Sequence, residues 1–300
     1  MFLTMIAFAC ADNQLQVPDF DVQALTISTQ YYNDWSNTVH TIVVEESYGD
    51  AQMNVGAALV PSDYVLIGGG AYTTNTSAGG YLTGSYPYLP SNSWYASSKD
   101  HWSADPHTLR VIAVGLKIDG VSATTLRNSL QFVNSNWSSP VAAHPTNSIS
   151  VSAGYNLISG GANISWVNCN GNLLTASYPS GSTWNVASKD HVYSCPANIQ
   201  AYAIGIPSTI SGFNGQLEVT FPMAGPVTSN GTHGIATGTP TGWAPASVGG
   251  RATYTAGRLF TTLRPPYAGD PTGSQGIVKD MKILDSGSTY LYASSIRKKP

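Results

Sequence analysis

"WYASSKDHW" occupies Trp94–Trp102, "WNVASKDHVY" occupies Trp184–Tyr193, and "SQGIVKDMKI" occupies Ser274–Ile283. Lys99, Lys189 and Lys279 are spaced 90 residues apart each time, and an Asp follows each of them. The match extends outward from this core. "YVLIGGGAYTT" and "YNLISGGANI" precede it, "YLTGSYP" and "NLLTASYP" come next, and "RVIAVG", "AYAIG" and "LYASS" close each copy. Self-similarity at a fixed period sets the architecture before any local reading does. It divides the chain into a segment 1–23 and three β-rich units, 24–114, 115–204 and 205–300, the last degenerate and ending in the basic tail "RKKP".

Within a unit the periodicity is that of strands. "LRVIAVGLKI" and "IQAYAIGI" are short apolar runs rich in β-branched residues and bounded by turn residues. "ADPHT", "SCPAN" and "LDSGS" supply the Asp, Pro and Gly of a hairpin loop between the Lys-Asp strand and the closing strand. No stretch carries a helical stripe of useful length. The expectation is an all-β protein with five or six strands per unit. The units are packed about a pseudo-threefold axis or strung as tandem sandwiches, with a six-bladed propeller ranked last.

"IGGGAYTT", "LTASYPSGSTWNVASKDH" and "AYAIG" together resemble a module found in tandem in secreted bacterial proteins: a Gly pair, Ser-Tyr-Pro, a Trp and a closing Tyr-Ala strand. The likeness covers the first two units well and the third poorly. These proteins have no settled function, so the resemblance implies β-rich extracellular modules and nothing about chemistry.

Composition narrows the classes. The chain has 13 Lys and Arg and 16 Asp and Glu, only 10% charged residues, and a net charge of −3. That offers no basic footprint for nucleic acid. An apolar fraction of 42% with seven Trp implies a packed core rather than disorder. "MFLTMIAFACA" is similar to the end of a signal peptide, which points to a secreted or cell-surface protein. No later apolar run reaches the ~20 residues of a spanning helix. Cys169 and Cys195 both fall in the second unit and are the disulfide candidates for an oxidising compartment, with two buried free thiols as the alternative.

Six of the few charged residues form the three Lys-Asp pairs, so a solvated surface is a poor explanation for them. Lys99, Lys189, Lys279 and Asp280 are therefore read as structural, each pair partly buried where units meet. A ligand reading applies to the residues confined to units one and two. Trp94 and Trp184 would stack a sugar ring, while Asp100 with His101, and Asp190 with His191, would bond its hydroxyls. Tyr86 and Tyr178, at the Ser-Tyr-Pro strand ends, would add a second aromatic wall. Core packing is the competing reading for all of these. Gly-x-Ser-x-Gly and Gly-Lys-Ser/Thr signatures are absent, which leaves no nucleophile elbow or phosphate loop. Asp100, His101, Asp105 and His107 lack the repeated spacing of a metal site, so no metal and no cofactor are expected.

The functional expectation is a multivalent lectin-like protein whose partner is a glycan or cell-surface polysaccharide, with homo-oligomerisation left open. A structural component of an extracellular assembly is the alternative, and a polysaccharide hydrolase comes third.

Overall fold

The computed structural model describes residues 25–74, 77–165, 171–253, 257–271, 273–280 and 282–300. The signal-like segment 1–23, Cys169 and Met281 lie outside the described residues. The chain is all-β, as its periodicity implies. The first strands are β1 (Leu25–Asn33), β2 (Val39–Ala51), β3 (Met53–Leu59) and β4 (Val65–Thr74). They are followed by β5 (Tyr81–Tyr88), β6 (Ser93–Lys99) and β7 (His107–Ile118). Next come β8 (Gln131–Asn134), β9 (Thr146–Ser150), β10 (Tyr155–Ile164), β11 (Leu173–Ser180), β12 (Thr183–Lys189) and β13 (Ile199–Pro207). The last third holds β14 (Leu217–Thr220), β15 (Met223–Thr228), β16 (His233–Gly238) and β17 (Ala244–Ala252). It ends with β18 (Leu259–Arg264), β19 (Gly273–Lys279) and β20 (Ser288–Lys298). One short helix, α1 (Ala123–Ser129), is capped by the Ser122 side chain accepting from the Thr125 amide. It buries only Leu126, too little to leave a stripe in the sequence.

Three antiparallel sheets form, with orders β1-β2-β7-β4-β18-β19-β16, β3-β6-β5-β10-β13-β8 and β14-β20-β17-β11-β12-β9. Each sheet mixes strands from two of the three sequence stretches. The stretch before residue 115 supplies the first and second sheets, the middle stretch the second and third, and the last stretch the third and first. Separate sandwiches and four-stranded blades are therefore both ruled out. The expected hairpin between the Lys-Asp strand and the closing strand is also corrected. β6 lies in the second sheet and β7 in the first, so "ADPHT" carries the chain from one sheet to the next.

The pairing repeats in detail. Ladders β4–β7, β10–β13 and β17–β20 each skip one residue, at Ile67, Ile158 and Ala246. Ladders β5–β6, β11–β12 and β18–β19 skip Thr83, Thr175 and Thr261. Bulges of this kind increase local twist and bend the bulged strand. The skipped residues are buried, and Ile67, Ile158 and Ala246 join an apolar cluster drawn from all three sheets.

Trp94 and Trp184 lie at the centre of the larger core cluster, 1% and 0% exposed. A β-carbon on Gly69 would come within 2.4 Å of the Trp94 ring, and one on Gly160 would meet Trp184 at the same distance. Each indole N–H donates to a serine, Trp94 to Ser85 and Trp184 to Ser177. In the last stretch Ser274 stands 90 residues after Trp184. There Val248 takes the place of the glycine, opposite Ala293 as Gly69 is opposite Ala113 and Gly160 opposite Ala203. A large residue on a small one has become a small residue beside a larger one, which conserves volume in a close-packed interior.

Truncating either indole leaves a cavity the sheets cannot close. Trp94→Ala and Trp184→Ala are each expected to cost about 3–5 kcal/mol in denaturant melts. Ser274→Ala removes a buried hydroxyl that has no hydrogen-bond partner among the described residues, and is expected to cost less than about 1 kcal/mol. Equal losses at all three positions would overturn this account of the core.

Candidate functional site

The three Lys-Asp pairs end β6, β12 and β19 beside a small apolar cluster of Tyr81, Leu173 and Leu259. These three residues oppose Lys99, Lys189 and Lys279 in their ladders. Asp100, Asp190 and Asp280 perform one task. Each carboxylate accepts the backbone N–H five residues on: Asp105 at 2.6 Å, Cys195 at 2.8 Å and Asp285 at 2.8 Å. Glycines Gly79 and Gly257 admit this approach, since a β-carbon there would lie 2.4 Å and 2.7 Å from the Asp100 and Asp280 oxygens.

The residue at the far end of each loop holds a second loop. Asp105 Oδ2 accepts the amides of Ser77, Ala78 and Gly79, and Asp285 accepts those of Gly257 and Gly287. In the middle stretch Cys195 stands at this position and is disulfide-bonded. Its expected partner, Cys169, precedes β11 in the sequence as Ser77–Gly79 precedes β5.

The lysines act between stretches rather than on the aspartates that follow them. Lys99 Nζ donates to the Gly171 carbonyl. Burial lowers the Lys99 ammonium to about 8, partly offset by Asp190. Lys189 is also lowered to about 8 by burial and faces Asp285 and Asp280, while Lys279 is lowered by burial and faces Asp105. Each lysine thus reaches the loop of the following stretch, and the last returns to the first. The structural assignment of Lys99, Lys189, Lys279 and Asp280 fits this ring.

The ligand assignment of Trp94, Trp184, Asp100, Asp190, His101 and His191 does not. The tryptophans are core, and the aspartates tie their loops. His101 and His191 are 1% and 3% exposed and bond one another, Nε2 to Nδ1, at 2.9 Å. The His101 ring also sits edge-on to Tyr81, with centroids 6.1 Å apart. The loops beyond reach solvent, where Trp102 stacks on Tyr193 and Val192, Ile283 and Leu284 are exposed. Among the described residues, no group of three or more His, Cys, Asp or Glu could hold a metal ion.

Tyr86 and Tyr178 are placed differently. Side chains alternate along a strand, so the tyrosine beside an inward Ser85 or Ser177 points outward. Tyr86 stacks on Tyr202 with centroids 5.0 Å apart, and Tyr178 stacks on Tyr292 at 5.7 Å. Both stacks cross the seam between stretches. Strands β5 and β10 meet there through only Ser85↔Ala162 and Gly84↔Asn163, and β11 and β17 through Ser177↔Gly250 and Ala176↔Arg251.

On the third sheet this outer face dips into a depression of about 480 Å³ across β9, β11, β12 and β17. Tyr178, Asn147, Ser148, Asn185, Thr146 and Arg251 supply its polar and aromatic lining. Thr175, the bulge residue of β11, also lines it, and its buried hydroxyl has no hydrogen-bond partner among the described residues. The Arg251 guanidinium lies over Tyr178 at 5.4 Å and over Tyr290 at 5.9 Å. Of these residues the sequence reading singled out Tyr178 alone. The signal for the rest was the outward alternation of Tyr290 and Tyr292 in "TYLYASS" and the polar run "TNSIS" of β9. No protein-family model and no curated protein matches the sequence.

Burial and the neighbouring His101 and Lys189 charges lower His191 from its ordinary value of 6.5 to about 4. The unfolded chain therefore binds more protons than the folded one between pH 4 and 6.5, and stability rises with pH across that window. Melting temperature is expected to fall on acidification from pH 6.5 to 4. His191→Met, copying the residue at 281, is expected to flatten that fall. An unchanged profile in the variant would mean that folding does not shift the His191 pKa.

Proposed function

We propose that the protein is a secreted or surface-displayed carbohydrate-binding protein, lectin-like, that uses the outer faces of its sheets. The depression on the third sheet carries this reading. Carbohydrate recognition combines an aromatic ring, against which the apolar face of a pyranose packs, with neutral donors and acceptors for its hydroxyls. Tyr178 supplies the ring, and Asn185, Thr146 and Ser148 supply a side-chain amide and hydroxyls around it, while the Asn147 amide is taken up by the Asn136 and Ile199 carbonyls. The site is shallow, so one sugar contributes little net affinity after immobilisation. Tyr86, Tyr95 and Tyr202 on the second sheet form another outward aromatic row, with Tyr86 and Tyr95 centroids 6.1 Å apart. Several weak sites on one molecule gain avidity on a polymeric glycan.

A second reading, a structural component of an extracellular assembly, is favoured by the exposed Trp102, Val192, Tyr193, Ile283 and Leu284 on the loops beyond the Lys-Asp strands. Apolar residues left in solvent on neighbouring loops mark an interaction surface.

A glycan array followed by affinity electrophoresis in the retained polysaccharide separates the two. Tyr178→Ala is expected to reduce retention at least tenfold while changing the melting temperature little. His101→Ala with His191→Ala is expected to lower the melting temperature and leave retention intact. Absence of retention on every array member, with concentration-dependent self-association that Leu284→Ser abolishes, would replace this reading with the second.

A further inference from the structure

We infer that the glycan bound at the third-sheet depression carries an anionic group, a carboxylate or a sulfate, which pairs with Arg251. The inference rests on the carbohydrate reading and names the class of ligand for the same site. Arg251 is exposed, lines the depression, and has no ion-pair or hydrogen-bond partner among the described residues. None of the lining residues is Asp or Glu. Its guanidinium lies instead over two aromatic rings, Tyr178 and Tyr290. Stacking of this kind orients a guanidinium while leaving its N–H edge open, the geometry suited to bidentate binding of a planar or tetrahedral anion. Thr175, with its unsatisfied hydroxyl, lies in the same depression.

The corresponding faces of the other sheets sharpen the point. On the second sheet Asn163 pairs with Gly84 where Arg251 pairs with Ala176, so that seam carries no cation. The first sheet does have an arginine, Arg264, opposite Gln275 where Tyr178 is opposite Asn185. Arg264 is 6% exposed, contacts Asp270 at 3.1 Å and bonds Gln275, so its charge is already neutralised within the protein. Among the described residues of these three faces, a cation set over aromatic rings and left uncompensated belongs to the third sheet.

The test is isothermal titration of the intact chain with hexagalacturonate, its fully methyl-esterified form, a heparin hexasaccharide and cellohexaose. Preference for hexagalacturonate or the heparin fragment over both neutral sugars, at least tenfold and weakening with added salt, is the expected result. The favoured member of the charged pair identifies carboxylate or sulfate. Arg251→Gln is expected to erase that preference, with an unchanged melting temperature showing that the fold is intact. Arg251→Lys, which keeps the charge without the planar fork, is expected to retain part of it. Binding of neither charged oligosaccharide above the two neutral ones, or a preference that survives in Arg251→Gln, would overturn the inference while leaving the carbohydrate reading standing. No binding by any of the four would overturn it together with that reading at this site.

Discussion

The molecule closes on three glycines. Gly70, Gly161 and Gly249 sit where a strand of one stretch meets a strand of another, and a β-carbon there would press on a neighbouring backbone oxygen at 2.4, 2.3 and 2.8 Å. Each seam has only two register pairs. A seam so short tolerates no displacement, so the third glycine of "IGGG" and its counterparts decide whether the sheets join at all. The outer stacks follow from the same constraint. Bare backbone at Gly161 makes room for Tyr86, which stacks on Tyr202, and Gly249 admits Ser177 and Pro179 on either side of Tyr178, which stacks on Tyr292.

At one end of the strands the Lys-Asp ring ties the same three stretches together with charge. An aspartate that gathers backbone amides is satisfied locally, which frees its neighbouring lysine to reach the next loop. Buried ammonium groups cost stability unless carbonyls and carboxylates compensate them. Here the compensation lies in a different stretch each time, so no stretch can satisfy its own lysine. That dependence favours one cooperative unit over three beads, and it explains why the last stretch keeps Lys279 and Asp280 after losing the Trp.

The all-β class was legible because alternation and turn residues act within ten residues. The 90-residue step of the lysines was legible for a similar reason, since it needs only the sequence. The exchange of strands between sheets was not. It rests on contacts such as Leu263↔Ala71, separated by almost two hundred residues and marked by nothing but a glycine. The ligand assignment failed at Trp94 and His101 for a sharper reason. Alternation says that Trp94 and Tyr86 occupy opposite faces of their hairpin, but not which face is inside. The glycines at 69 and 160 held that answer, because only an indole lying flat against bare backbone explains them.

The division between recurring and non-recurring residues then orders the whole surface. Positions that recur in each stretch are occupied with internal work: bulges, amide-gathering aspartates, cross-stretch lysines. Differences among the stretches concentrate where the side chain points outward at a seam: Tyr86 with Asn163, Arg264 with Tyr72, Tyr178 with Arg251. The scaffold fixes backbone geometry at three equivalent seams, so a single outward substitution changes the chemistry of one face without disturbing the other two. One seam is aromatic and neutral, one is aromatic with its cation neutralised by Asp270, and one presents an open guanidinium. A fold built this way can offer three different surfaces from one plan, set by a few outward side chains rather than by the buried Lys-Asp-His run that first draws attention in the sequence.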